Sequence, residues 1–223
     1  MKGTRLSRKS RGSKGPSNMV QVPVFEQTCR FYLSEIKKIN YLSRADLLGA
    51  SISEDKLIIP LYNKTYAVSA DRIVDCHGGK VAPAVSVILC KYVLTCPAEI
   101  PPQQNRLMTY REFSNSAPLV SYFTTNTNKT LESTFSGKIK LFSERAKELG
   151  AEIRKDKSYD LSLLFYALPR IPVIVNFNDR DDLFEATCSI LYRASAQNFL
   201  DMECLAMTGT LLAGKLIRST AVC

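Results

Sequence analysis

The stretch "YDLSLLFYALPRIPVIVNFN", residues 159–178, decides the fold. It holds two apolar runs that meet at Pro169 and Arg170, each short and rich in β-branched or aromatic residues. In the second run Ile171, Val173, Val175 and Phe177 take one side, while Pro172, Ile174, Asn176 and Asn178 take the other. That period-two alternation predicts a half-buried strand, with a second strand before it. The acidic group that follows, Asp179, Asp181 and Asp182, reads as a solvated turn, because the remaining oxygen ligands and terminal glutamate of a calcium loop are missing. Arg170, held between Pro169 and Pro172 at a strand start, is the residue that packing does not explain.

Working outward, "TCSILYR" (187–193) offers one more strand, and a last helix begins near Asp201 and buries Leu205, Thr208, Leu212 and Leu216. Upstream, "KLIIPLY" and "KTYAVSA" are joined by Asn63 and Lys64 and read as a β-hairpin, with Pro60 marking a sheet edge or a bulge. "AVSVILCKYVLTC" (84–96) is apolar almost all round and too long for a typical strand, so a buried helix is predicted. Phe25, Cys29, Tyr32, Leu33, Ile36 and Ile39 recur at helical spacing. Ser43 and Asp46 resemble a capping arrangement, with Gly49 as a stop. "RLMTYREF" (106–113) reads as a short strand, Ser114 to Lys129 as a polar connection, and Leu131 to Leu149 as a helix closed by Gly150. The expected fold is α+β: a mostly antiparallel sheet with helices packed on it.

With 45% apolar and 23% charged residues, the 223-residue chain has an ordinary globular composition. Its net charge of +9 is concentrated, since residues 1–18 carry Lys2, Arg5, Arg8, Lys9, Arg11 and Lys14 and no acid. Glycine, serine and Pro16 fill the rest, so residues 1–18 are expected to form a disordered basic arm before a single domain over 19–223. No secretory pattern follows the basic residues and no apolar run reaches a membrane-spanning length, which predicts a cytoplasmic protein without a membrane partner. Nucleic-acid binding through the arm ranks last, because only +3 remains without it. The seven cysteines include no CxxC pair, and adjacent Cys76 and His77 lack further ligands at metal-binding spacing.

The order of these pieces is distinctive. "LIIPLYNKTYAV", "VILCKYVL", "LMTYREF", "LPRIPVIVNFNDRDDLFEATCSILYR" and "FLDMECLAMTGTLLAGKLI" together resemble the bacterial and archaeal family DUF3786, over roughly residues 24–218. The family is functionally uncharacterised, and its members come largely from anaerobes. Some carry an attached iron-sulfur domain of the kind found beside corrinoid proteins. The resemblance therefore implies an accessory role near corrinoid or one-carbon metabolism, with a corrinoid-related partner protein. Arg111 in "YREF", the "PRIP" signature at 169–172 and Glu203 match family positions. Arg193 departs from the pattern, standing where the family tends to have an acid, and no amino-terminal cysteine cluster is present.

Arg111, Glu112, Asp160, Arg170 and Glu203 fall at strand ends or a helix start, where clefts form. In one reading Arg111 and Arg170 hold a small anionic ligand, oriented by Glu112, Asp160 or Glu203, because guanidinium forks match carboxylate and phosphate. In the other, the two arginines pair with those acids across the sheet, and Glu203 simply favours the helix dipole. No nucleotide loop, hydrolase elbow or serine–histidine triad is present, and no cofactor is indicated. A non-catalytic binding module is thus expected, the alternative being an enzyme with Glu112 or Glu203 as acid or base.

Overall fold

The computed structural model describes residues 21–100 and 106–218, with side chains from Val24 onward. The basic arm predicted over residues 1–18 lies outside the described residues. Helix α1 (Gln21–Ile36) is followed by a 3₁₀ turn at Leu42–Arg44 and the single-turn α2 (Ala45–Leu48). Four strands come next: β1 (Ser51–Ser53), β2 (Lys56–Leu61), β3 (Lys64–Val68) and β4 (Ile73–Asp75). Helix α3 (Pro83–Leu94) opens with Pro83 in its first turn, where the missing N–H costs nothing. After β5 (Leu107–Thr109) a helical stretch runs through α4 (Val120–Thr124), a π-turn at Thr125–Lys129 and α5 (Thr130–Phe135). Then come α6 (Ile139–Glu148), β6 (Glu152–Arg154), β7 (Leu161–Leu168), β8 (Ile171–Asn178), β9 (Thr187–Arg193) and α7 (Met202–Ile217).

The α+β expectation holds, but with two antiparallel sheets in place of one. The smaller has the order β1-β2-β3-β4, and the larger β5-β9-β8-β7-β6. Pro60 pairs with Thr65 of β3, and β1 reaches only as far as Ile58, so the proline occupies a locally open edge of β2. On the larger sheet Leu163, Phe165, Val173, Val175, Phe177, Ile190 and Tyr192 face the core, nearly all without exposure. Phe142 of α6 meets Phe177 edge-on at 5.2 Å and stacks on Phe135 of α5 at 4.2 Å, fixing how the helices lie on this face.

Strand β8 departs from the half-buried expectation: both its faces are buried as far as Phe177. It is the central strand, flanked by β7 and β9, and neighbouring side chains cover even its polar positions. Buried Asn176 is satisfied across the strands by Ser162, whose hydroxyl donates to Oδ1 at 2.7 Å. The connection expected over Ser114–Lys129 is also largely helical. Its polar side chains bond back to the helix itself: Thr127 Oγ1 donates to the Phe123 carbonyl at 2.6 Å and Asn126 Nδ2 to that of Tyr122 at 2.8 Å. The strand expected over 106–113 ends at Thr109, where Tyr110–Glu112 turn into a 3₁₀ helix.

One joint ties the two sheets together. The β7–β8 pairing slips between Tyr166 and Leu168, so Ala167 is a bulge residue, and its carbonyl accepts from the Tyr62 amide at the tip of the β2–β3 hairpin (3.1 Å). Tyr62 holds a left-handed φ of 53° there, and its hydroxyl donates to the Thr208 carbonyl of α7 at 2.7 Å. Gly49 ends α2 at φ 67°, and a Cβ added there would lie 2.9 Å from Pro169 Cβ. Backbone conformation and close approach both select glycine. Among the described residues no helix is long and apolar enough to cross a membrane.

Of the described glycines Gly209 leaves the least room: an added Cβ would sit 2.5 Å from the Phe123 ring and 2.9 Å from the Tyr192 hydroxyl. Alanine would gain about 1 kcal/mol of helix propensity. Against this, overpacking between two buried rings costs typically ~1–3 kcal/mol. Gly209→Ala is therefore expected to lower the urea midpoint of unfolding; a raised midpoint would mean that the α4–α7 contact yields without strain.

Candidate anion-binding cleft

The turn that joins β7 to β8 points its one arginine backward. Arg170 Nε donates to the Leu47 carbonyl at 3.0 Å, and Nη2 donates to the Asp46 carbonyl at 2.7 Å. Both are carbonyls of the α2 turn, at the end where the helix dipole favours a cation, and the Asp46 carbonyl also accepts from the Gly49 amide at 3.2 Å. Tyr92 of α3 completes the clasp: its hydroxyl donates to the Leu48 carbonyl at 2.7 Å and accepts from the Arg170 amide at 3.2 Å. Burial pushes the Tyr92 phenol well up, so it remains a donor at any ordinary pH. The guanidinium is thus held by backbone carbonyls and not by the acids of the pairing expectation.

Its remaining nitrogen, Nη1, has no partner among the described residues, and the Arg170 side chain borders a cleft of about 180 Å³. Sheet register supplies the second cation. Tyr166 lies opposite Pro172, and because Val173 lies opposite Tyr192, Arg193 falls beside Pro172 on the same row of three strands. Tyr192 turns into the core and Arg193 therefore turns out, into the cleft with Arg170, Tyr166, Ser195 and the two prolines. Among the described residues the Arg193 side chain has no hydrogen bond or ion pair. Ile100 and Phe199 complete the lining, so two arginines line a small cleft that no carboxylate borders among the described residues.

The other sequence-predicted residues lie apart from this cleft. Glu112 closes its own turn, accepting from the Thr109 amide at 2.7 Å and the Thr109 hydroxyl at 2.8 Å, and these bonds hold its carboxyl below the usual range. Arg111, one residue before, is exposed. Asp160 ties the ends of β7 and β8, its carboxylate accepting from the Asp179 amide at 2.8 Å and its amide donating to Asn178 Oδ1 at 3.1 Å. Glu203 borders a separate cavity of about 420 Å³ beside Tyr32, Asp201 and Cys204. Asp201, not Glu203, caps α7: it accepts from the Cys204 amide at 2.9 Å and pairs with Lys91 at 2.9 Å. No ion pair joins Arg111 or Arg170 to Asp160 or Glu203 among the described residues.

The two polar turns singled out from sequence have local roles. Asp181 Oδ1 accepts from the amides of Leu183 (2.8 Å) and Phe184 (2.7 Å), as a turn does. In "DCHGG" the buried Asp75 carboxylate pairs with Lys64 at 2.9 Å and accepts from the His77 amide, which lowers its pKa. Arg193 and Ser195 are the cleft residues that sequence reasoning did not propose. The signal that would have found Arg193 is the register of β9 on β8, which places the last residue of "TCSILYR" beside "PRIP".

The architecture and the cleft thus define an α+β protein with a two-arginine site. Residues 40–215 match the family described as Domain of unknown function (DUF3786), and the chain belongs to that family. No curated protein matches the chain, and no solved structure does. The matched residues contain every strand and both cleft arginines, and leave α1 outside.

The two arginines should separate in their effect on stability. Arg170→Ala removes two charge-assisted bonds to backbone carbonyls and is expected to cost about 1.5–3 kcal/mol in urea unfolding. Arg193→Ala, which removes no bond, is expected to stay within about 0.5 kcal/mol of the parent. Equal losses would contradict the assignment of Arg170 as clasp and Arg193 as free cation.

Proposed function

We propose that the protein is a binding module that takes a small anionic group, a phosphate or carboxylate, between Arg170 and Arg193. One observation carries this: two arginines line one cleft, with no carboxylate among its described lining residues. An anion received between them accepts hydrogen bonds from guanidinium forks, whose planar donors match carboxylate and phosphate. Ser195 and Tyr166 add hydroxyls able to bond the same group. Pro169 and Pro172 stiffen the rim, so less freedom is lost on binding.

Size narrows the ligand. Drug-sized molecules occupy pockets of roughly 300–1,000 Å³. At about 180 Å³ the cleft suits a single anionic group and leaves the rest of a larger ligand outside. The corrinoid-linked accessory role implied by the family fits this picture as a phosphate-bearing ligand or partner engaged through its phosphate. The lining contains no histidine, cysteine, lysine or carboxylate, which favours binding over proton-transfer catalysis by Glu112 or Glu203.

Thermal unfolding should be followed against phosphate, pyrophosphate, citrate, a nucleotide and a phosphate-containing corrinoid, with sodium chloride at matched ionic strength as control. At least one anion is expected to raise the midpoint in proportion to the logarithm of its concentration. Arg193→Ala should weaken that response at least tenfold, and Arg193→Glu should remove it. An absent response across the panel, or one unchanged in Arg193→Glu, would overturn the proposal.

A further inference from the structure

The two most exposed large apolar side chains among the described residues are neighbours: Leu183 is 83% and Phe184 71% open to solvent, at the tip of the β8–β9 loop. Single exposed apolar residues are ordinary, whereas an adjacent pair on a fixed loop marks a contact surface. This loop is fixed at base and tip. At its base Asp179 Oδ1 accepts from the Gly137 amide at 2.6 Å and the Arg180 amide at 2.8 Å, and the Arg180 side chain lies back against Gly137. At its tip the Asp181 carboxylate holds the Leu183 and Phe184 amides, and the Phe184 carbonyl accepts from the Asp181 amide at 3.0 Å. Both side chains are thus presented with little backbone left to order on binding. Asp182 and Glu185 flank them, exposed and without an ion pair among the described residues.

A receptor of matching chemistry lies elsewhere on the same chain. Helices α1, α4 and α7 border an apolar groove of about 310 Å³, walled by Phe25, Tyr122, Met207 and Leu211. Lys215 and Arg218, at the end of α7, are the charged residues of its described lining. Lys215 donates to Asn63 Oδ1 at 3.0 Å, and neither cation pairs with an acid among the described residues. Burial, with Lys64 and Arg218 nearby, lowers the Lys215 pKa, so a carboxylate arriving beside it is favoured.

We propose that the Leu183–Phe184 tip of one copy seats in the groove between α1, α4 and α7 of a second copy, joining two chains about a two-fold axis. Phe184 and Leu183 enter the apolar walls, where Met207 supplies an adaptable contact, while Asp182 and Glu185 meet Lys215 and Arg218 at the rim. Two-fold symmetry lets each copy give its loop and receive its partner's, so the contact forms twice. A tip cannot serve its own groove, because α6 stands between them. That helix starts two residues after Gly137, and Arg145, about two turns along, donates to the Leu216 and Ile217 carbonyls at the end of α7, both at 3.1 Å. The loop tied to Gly137 is therefore held a helix away from the groove's cations.

Sedimentation velocity of the full chain at micromolar concentrations should show a reversible dimer. Phe184→Asp, at an exposed side chain, is expected to weaken it roughly tenfold or more with the circular dichroism spectrum unchanged. Two charge-reversed chains give the sharper check. One carries Asp182→Lys with Glu185→Lys, the other Lys215→Glu with Arg218→Glu. Each alone should stay monomeric, and an equimolar mixture should dimerise, since both loops then meet a groove of opposite charge. Should Lys215→Glu disturb folding, Arg218→Glu alone serves in its place. A monomeric parent, a dimer indifferent to Phe184→Asp, or reversed chains that do not pair when mixed would each overturn the proposal.

Discussion

Everything in this structure hangs on the β7–β8 turn, where backbone carbonyls hold the Arg170 guanidinium. Three elements meet there that no local rule brings together: the α2 turn through Asp46 and Leu47, α3 through Tyr92, and the larger sheet through the turn itself. The smaller sheet joins beside it, because the bulge at Ala167 frees a carbonyl for the Tyr62 amide. The Leu47 and Ala167 carbonyls would lose these partners if the joint opened, and peptide groups left without partners are costly. The clasp ties the larger sheet to α2 and α3, and the Tyr62–Ala167 bond ties it to the smaller sheet.

Much of this was legible in the sequence where the signal is local. Alternation gave the strands on both sides of Pro169–Arg170, the apolar run from Ala84 gave the buried helix, and Asn63–Lys64 gave the β2–β3 hairpin. Gly49 stops α2 in the left-handed region as its position suggested. The rest depends on long-range geometry. That β1–β4 form their own sheet follows from edges and packing, which composition does not encode. The helical stretch after Ala117 was hidden because its threonines and asparagine bond back to the helix, and these residue types usually mark loops.

The candidate site shows the same division. Arg170 stood out as the residue packing does not explain, and it does border a cleft, yet its main bonds are to backbone. Its companion is Arg193 instead of Arg111, because only the register of β9 on β8 decides which side chain shares the Pro172 row. The acids expected to orient a ligand, Glu112, Asp160 and Glu203, lie elsewhere: the first two are held in turns and the third borders another cavity. A rigid joint at which two arginines line the same small space, with no acid among its described lining residues, suits an anion.

The most direct measurement is a crystal structure of the protein soaked in tungstate, a strongly scattering oxyanion with the shape of sulfate. The account predicts anomalous density in the cleft, bonded to Arg193 and to Arg170 Nη1, while Arg170 Nε and Nη2 keep their bonds to the α2 carbonyls. Density confined to other basic surfaces, or an Arg170 that leaves α2 to reach the anion, would contradict it.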